Sequence, residues 1–157
     1  MLISNRKIIG IFGGSFDPPH RGHLEISKIS LKKIKLKTVY WVVTKKNPFK
    51  KKSHFDLNKR IKLSKNLTKK QKYIEIRFLE KKISSNKTIN LIRHIKNKNR
   101  KKKIYFLLGA DNLINFHKWN NWKKIPKICK IVVFDRSSFK AKAKKSLAYK
   151  SFKNKGV

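Results

Sequence analysis

The sequence predicts an α/β fold, a doubly wound parallel sheet of about five strands, on three observations. Five short apolar runs, rich in β-branched and aromatic residues, recur along the 157 residues. Between them lie longer stretches with apolar side chains at helical spacing. Strands alternating with helices require right-handed crossovers, and right-handed crossovers join parallel neighbours. A chain of this length is one domain's worth and buries roughly two-thirds of its unfolded surface.

The first strand is the run Ile8, Ile9, Ile11 and Phe12, apolar enough to be covered on both faces. Gly13 and Gly14 follow it directly; glycines there permit positive φ and let main-chain N–H groups approach a ligand. Asp17, Pro18 and Pro19 then fix the direction of the turn, since proline restricts both itself and its predecessor. His20 and His23 flank Gly22 at the start of an amphipathic helix over residues 24–34. Residues 38–43 are β-branched and aromatic, a second strand, and a basic loop punctuated by Pro48 follows over residues 44–50. Phe55, Leu57, Ile61, Leu63 and Leu67 predict a helix within residues 54–67, and it carries Arg60.

Residues 73–78 alternate as a third strand, and residues 84–87 are a polar loop. Thr88 is a candidate N-cap for the helix bearing Ile89, Leu91, Ile92 and Ile95. The fourth strand, residues 104–108, runs into Gly109, Ala110, Asp111 and Asn112. Phe116, Trp119 and Trp122 occupy a short, partly helical stretch. The fifth strand, residues 131–134, ends at Asp135 and Arg136. Beyond residue 140 the chain is lysine-rich and offers at most a weak helix.

Ligands bind such sheets beyond the carboxyl ends of the strands. Residues 13–14, 44–50 and 109–112 all fall at those ends, as does Arg136. The first turn suits an anion, because a helix N-terminus offers N–H groups and the positive end of its dipole. The imidazoles of His20 and His23 add two donors there; the plainer alternative is that both merely cap the helix. Asp111 has the oxygens to hold ribose hydroxyls, or it caps the next short helix. Trp119 and Trp122 are either core or a platform for an aromatic ring. Lys46 or Lys50 would meet phosphates as point charges if not simply solvated.

Composition is lopsided, with 44 Lys+Arg against 7 Asp+Glu and a formal net charge of +37. Such an excess usually argues for nucleic acid or an anionic membrane. Here the lysines are spread along the whole chain together with many Asn and Ile, the pattern of a biased nucleotide composition. Nucleic acid is therefore not an expected partner, although the charge favours polyanionic substrates. Cys129 is the single cysteine, which excludes an internal disulfide or a cysteine metal cluster. Residues 1–7 have no signal-peptide core, and no run approaches the ~20 apolar residues of a membrane span, so a cytoplasmic location is expected.

The run Gly13-Gly14-Ser15-Phe16-Asp17-Pro18-Pro19-His20-Arg21-Gly22-His23 resembles the signature of the nucleotidylyltransferase superfamily, with its (His/Thr)-x-Gly-His motif. In this form it is most similar to bacterial nicotinate-nucleotide adenylyltransferase. The likeness extends over residues 7–136 and includes Asn47-Pro48-Phe49-Lys50, Arg60, Thr88, Gly109-Ala110-Asp111-Asn112, Phe116, Trp119, Trp122 and Arg136. It implies a Rossmann-like fold and the reaction of ATP with nicotinate mononucleotide, giving deamido-NAD and pyrophosphate, with Mg²⁺ held mainly through the ATP phosphates and by no metal ligand of the protein. It further implies His20 and His23 as catalytic residues on the ATP phosphates. Gly13, Gly14, Ser15, Phe16, Gly22, Lys50 and Arg136 complete the ATP site by the same likeness. Thr88, Asp111 and Trp119 would meet the mononucleotide, Asp111 at ribose and Trp119 against the pyridine ring.

The likeness fails in two places. Residues 87–91 keep only the first threonine of a Tyr-Thr-x-Asp-Thr-like element, and residues 137–140 do not match a Ser-Ser-Thr-x-Ile-Arg-like phosphate motif. Residues 1–136 are accordingly expected to be the nucleotidylyltransferase domain and residues 137–157 a C-terminally shortened, lysine-rich remnant. Two alternatives remain: the same superfamily acting on another phosphate acceptor, and a basic nucleic-acid-binding protein on a degenerate scaffold. Oligomeric state is left open.

Overall fold

The computed structural model describes residues 8–47, 51–135 and 138–153. In chain order these form β1 (Ile8–Gly14), α1 (Arg21–Lys33), β2 (Thr38–Val43), α2 (Leu57–Thr68), β3 (Ile74–Arg77) and α3 (Glu80–Ile83). There follow α4 (Thr88–Lys98), β4 (Lys103–Gly109), α5 (Ala110–Ile114), the 3-10 helices Phe116–Lys118 and Trp122–Lys127, β5 (Lys130–Phe134), α6 (Lys140–Lys145) and α7 (Leu147–Phe152). The five strands make one parallel sheet in the order β3-β2-β1-β4-β5, the doubly wound α/β architecture the sequence predicts.

Strand alternation sorts the core into two layers. Ile9 and Ile11 of β1, Tyr40 and Val42 of β2, and Phe106 and Leu108 of β4 face α4, α5, α6 and α7. Phe12, Val39, Trp41, Val43 and Leu107 face the other way, against Ile26 and Leu24 of α1 and Leu57 and Ile61 of α2. The crossovers β1–α1–β2 and β2–α2–β3 therefore cover one face, and α4 leads to β4 across the other. The change of side falls between β1 and β4, the switch point of the sheet, beyond whose carboxyl ends such folds bind their ligands.

Register puts the strand ends on one level. Gly14 pairs with Val43, and Gly109 pairs with Phe134. The β1–β4 ladder ends at Phe12 and Leu107, two residues before Gly14 and Gly109, which close their strands. Helix α1 begins earlier than its apolar periodicity indicates, because its start is set by polar capping at His20. Thr88 is the first residue of α4 and not its N-cap; Lys87 holds that position without a side-chain cap, and Ser85 Oγ accepts from Lys87 N at 3.2 Å and Asn90 Nδ2 at 3.0 Å. The lysine-rich tail carries two short helices whose Ala143, Ala148 and Phe152 are buried in the same cluster as β4.

Candidate active site

The turn after β1 is built by three devices. Neither Gly13 nor Gly14 uses the positive φ that glycine permits; that conformation falls on Phe16, at φ 47. A Cβ on Gly13 would meet only the Phe106 ring, at 3.7 Å, so the glycine keeps the end of the strand low rather than relieving strain. The Phe16 ring is buried, stacked on Trp41 with centroids 4.7 Å apart and 11° between planes, and it lies 4.9 Å from the His23 ring. Phe16 thus faces the core and offers a ligand only its main chain.

Asp17 holds the far side of the turn. Its carboxylate accepts from His54 N at 2.6 Å and Phe55 N at 2.8 Å. Burial raises its pKa, but those two amides, with the charges of Arg60 and His54, outweigh burial and hold the carboxyl below its ordinary value. Helix α1 starts on a capping box made of two imidazoles. His20, extended at φ −143, accepts from Gly22 N through Nδ1 at 3.1 Å, and His23 Nδ1 accepts from His20 N at 3.1 Å. The rings lie 3.8 Å apart between centroids, their planes tilted by 33°. An Nδ1 that accepts leaves the proton of the neutral ring on Nε2, so both imidazoles are Nε2–H donors. Capping and anion binding, posed as alternatives for this pair, are compatible: one nitrogen of each ring does the first and the other suits the second.

The helix itself is tied to the sheet. Trp41 Nε1 donates to Ser27 Oγ at 2.7 Å, and Ser27 Oγ donates to His23 O at 3.0 Å. Arg60, 1% exposed, donates Nε to Phe55 O at 3.0 Å, Nη1 to Ser15 O and Thr44 O at 2.7 and 2.8 Å, and Nη2 to Lys45 O at 2.7 Å. Ser27, Trp41 and the work of Arg60 were invisible as site features in the sequence. A serine one turn after a histidine and a tryptophan within a strand carry no local signal of their hydrogen bond.

Across the switch point, Asp111 is the second residue of α5, whose N-cap is Gly109, so Asp111 does not hold the cap position. A Cβ on Gly109 would collide with Asp111 Oδ1, so the glycine lets the carboxylate fold back over the strand end. Trp119 is half-buried, packed on Phe116 at 4.7 Å and Phe106 at 6.1 Å between centroids. Phe106 is the ring that lies beside Gly13, so Trp119 stands one ring away from the turn. Thr88 is half-buried at the start of α4. Ser15 and Gly22 lie within the turn and its helix start, whereas Lys50 and Arg136 lie outside the described residues.

Among the described residues no group of three His, Cys, Asp or Glu is placed to hold a metal ion, and no helix is long and apolar enough to cross a membrane. The turn's polar atoms are donors suited to oxyanions; the Asp17 carboxylate is spent on two amides. A cavity of about 450 Å³ between α4 and the second 3-10 helix, lined by Arg93, Lys96, Asn97, Lys124, Lys127 and Ile128, includes none of these residues.

Residues 11–156 match the family described as cytidylyltransferase-like. A Pelagibacter ubique protein named "Probable nicotinate-nucleotide adenylyltransferase" is 55% identical over 148 residues, 94% of this chain and 82% of its own length. A protein of the same name from Rhizobium meliloti is 36% identical over 82% of this chain and 68% of its own. Among solved structures, the Plasmodium falciparum nicotinic acid mononucleotide adenylyltransferase complexed with NaAD superposes with a TM-score of 0.71 at 23% identity, over 90% of this chain and 72% of that one. The last likeness is one of fold.

Proposed function

Because the chain belongs to the nicotinate-nucleotide adenylyltransferase family, we propose that it moves an adenylyl group from ATP to nicotinate mononucleotide. The products are deamido-NAD and pyrophosphate, a step of NAD biosynthesis, and the setting proposed for it is the cytoplasm. The observation that supports this reading most is the pair of imidazoles at the switch-point helix, each with Nδ1 committed to a main-chain amide. Two Nε2–H donors at the positive end of a 13-residue helix suit a triphosphate.

The chemistry is an in-line displacement at the α-phosphorus. An oxygen of the mononucleotide phosphate forms the new P–O bond as the bond to the bridging oxygen of pyrophosphate breaks. The protein's task is positioning and charge stabilisation. His20 and His23 donate to the phosphate oxygens that gain charge as pyrophosphate leaves. Gly13, Gly14, Ser15, Phe16 and Gly22 contribute main-chain atoms. Asp111 accepts from ribose hydroxyls, the exposed part of Trp119 stacks on the pyridine ring, and the main chain at Thr88 meets the nicotinate carboxylate. Lys50 and Arg136 complete the phosphate site. Mg²⁺ would supply charge neutralisation at the triphosphate; among the described residues no cluster of carboxylates, histidines or cysteines would hold it, so phosphate oxygens and water would be its ligands. Residues 1–136 act as the catalytic unit and residues 137–157 as its C-terminal segment.

The test is pyrophosphate release by the purified chain with ATP, Mg²⁺ and either nicotinate mononucleotide or phosphopantetheine. Turnover with the pyridine mononucleotide is expected. Turnover with phosphopantetheine alone overturns the reading, as does tight, salt-sensitive RNA binding without any turnover.

A further inference from the structure

We propose that Arg60 is a positioning residue for adenylyl transfer, its buried guanidinium setting the spacing between the loop after β1 and the loop after β2. The inference rests on the adenylyl-transfer reading for its kinetic part only.

Arg60 is almost completely buried, yet no carboxylate is among its hydrogen-bond partners; all four bonds go to main-chain carbonyls. A buried charge of this kind is poor value for stability, because apolar residues of like volume serve a core as well or better. What the guanidinium supplies is shape: a rigid planar fork that fixes several oxygens at once. The oxygens are informative. The β1–β2 ladder ends at Gly14 and Val43, with one further bond from Thr44 N to Gly14 O at 2.9 Å. Ser15 and Thr44 are the next residues on each chain, and their carbonyls converge on the single Nη1 of Arg60. The guanidinium therefore stands where the next rung would be, and carries the register of the sheet into two loops that have left it.

Both loops leave the carboxyl ends of neighbouring strands, where the adenylyl-transfer reading puts the substrates. Ser15 sits between Gly14 and the histidine turn, and residues 44–47 include Lys45 and Lys46. The third anchor, Phe55 O, lies just before α2, where Asp17 also grips the amides of residues 54 and 55. The start of α2 is thus fastened to both loops. In-line transfer is intolerant of misplacement on the scale of an ångström, so loosening this fastening should damage the chemical step more than ATP binding.

Arg60→Lys keeps the charge and loses the fork. The expected result is a kcat lower by about 100-fold per folded molecule with KM for ATP within about threefold. Ile95→Ala, a core truncation on the opposite face, should lower Tm and leave kcat per folded molecule unchanged. Hydrogen exchange gives a readout free of activity: in Arg60→Lys the segments 14–17 and 43–46 lose protection together, and in the wild type they open together in low denaturant. The wild-type exchange measurement stands even if the variant does not fold. An Arg60→Lys kcat within about threefold of wild type, or protection lost from one segment alone, overturns the proposal. Absence of wild-type turnover instead fails the functional reading and leaves the exchange result to decide this one.

Discussion

Replacing His20 by Asn separates the capping its ring performs from the phosphate contact proposed for it. Asn is a good N-cap, and its Oδ1 stands in for the Nδ1 that accepts from Gly22 N. The variant should melt near the wild-type temperature while kcat falls about 10²–10³-fold, the loss expected of one oxyanion donor. His20→Ala should lose a similar factor and about 1 kcal/mol of stability besides. Asp17 carries the acid sensitivity of the turn. Its folded pKa is depressed, so its ionised form stabilises the fold above the ordinary value of 3.8, and that contribution fades as pH falls through the lower folded value. In melting curves against pH, the gap between wild type and Asp17→Asn should therefore be full at neutral pH and shrink in strong acid. Gly109→Ala should push the Asp111 carboxylate aside and raise KM for the mononucleotide with little change in KM for ATP.

At the scale of elements, α7 is the one whose weight the composition hides. Lysines dominate the tail, but Phe152 is 2% exposed, edge-on to Phe116 at 5.7 Å and tilted against Trp122 at 5.5 Å. Phe152→Ala should cost about 3–5 kcal/mol, measured by denaturant unfolding. The strands were legible because continuous β-branched and aromatic runs leave little choice of structure; β2 spans the same residues by pattern and by coordinates. Helices with an apolar stripe were legible too, α4 through Ile89, Leu91, Ile92 and Ile95. What escaped was structure fixed by distant polar contacts. Helix α3 buries none of its residues, and its Glu80 accepts from Lys45 N at 3.0 Å, a bond between residues 35 apart. Arg60 is the same lesson within the site: its place in the helix was readable, its four carbonyl partners were not. The histidine motif was readable as a pair; that each ring caps the helix through Nδ1 required coordinates.

For the whole molecule, charge sets the conditions under which it is stable. With a formal net charge of +37 and two exposed salt bridges among the described residues, the fold works against its own repulsion. Salt screens such repulsion over about 10 Å at 0.1 M, so Tm should climb with added NaCl and climb further with a polyanion at equal ionic strength. The two layers share the β1–β2–β4 sheet, and each side of the switch point comes from its own length of chain. In the proposed reaction residues 8–23 would receive the triphosphate, and residues 88–122, with Thr88, Asp111 and Trp119, would receive the mononucleotide. On that proposal donor and acceptor would be handled by separable cassettes meeting at a shared seam. Grafting 88–122 from a relative with a different acceptor should exchange one specificity for another and leave the handling of ATP intact.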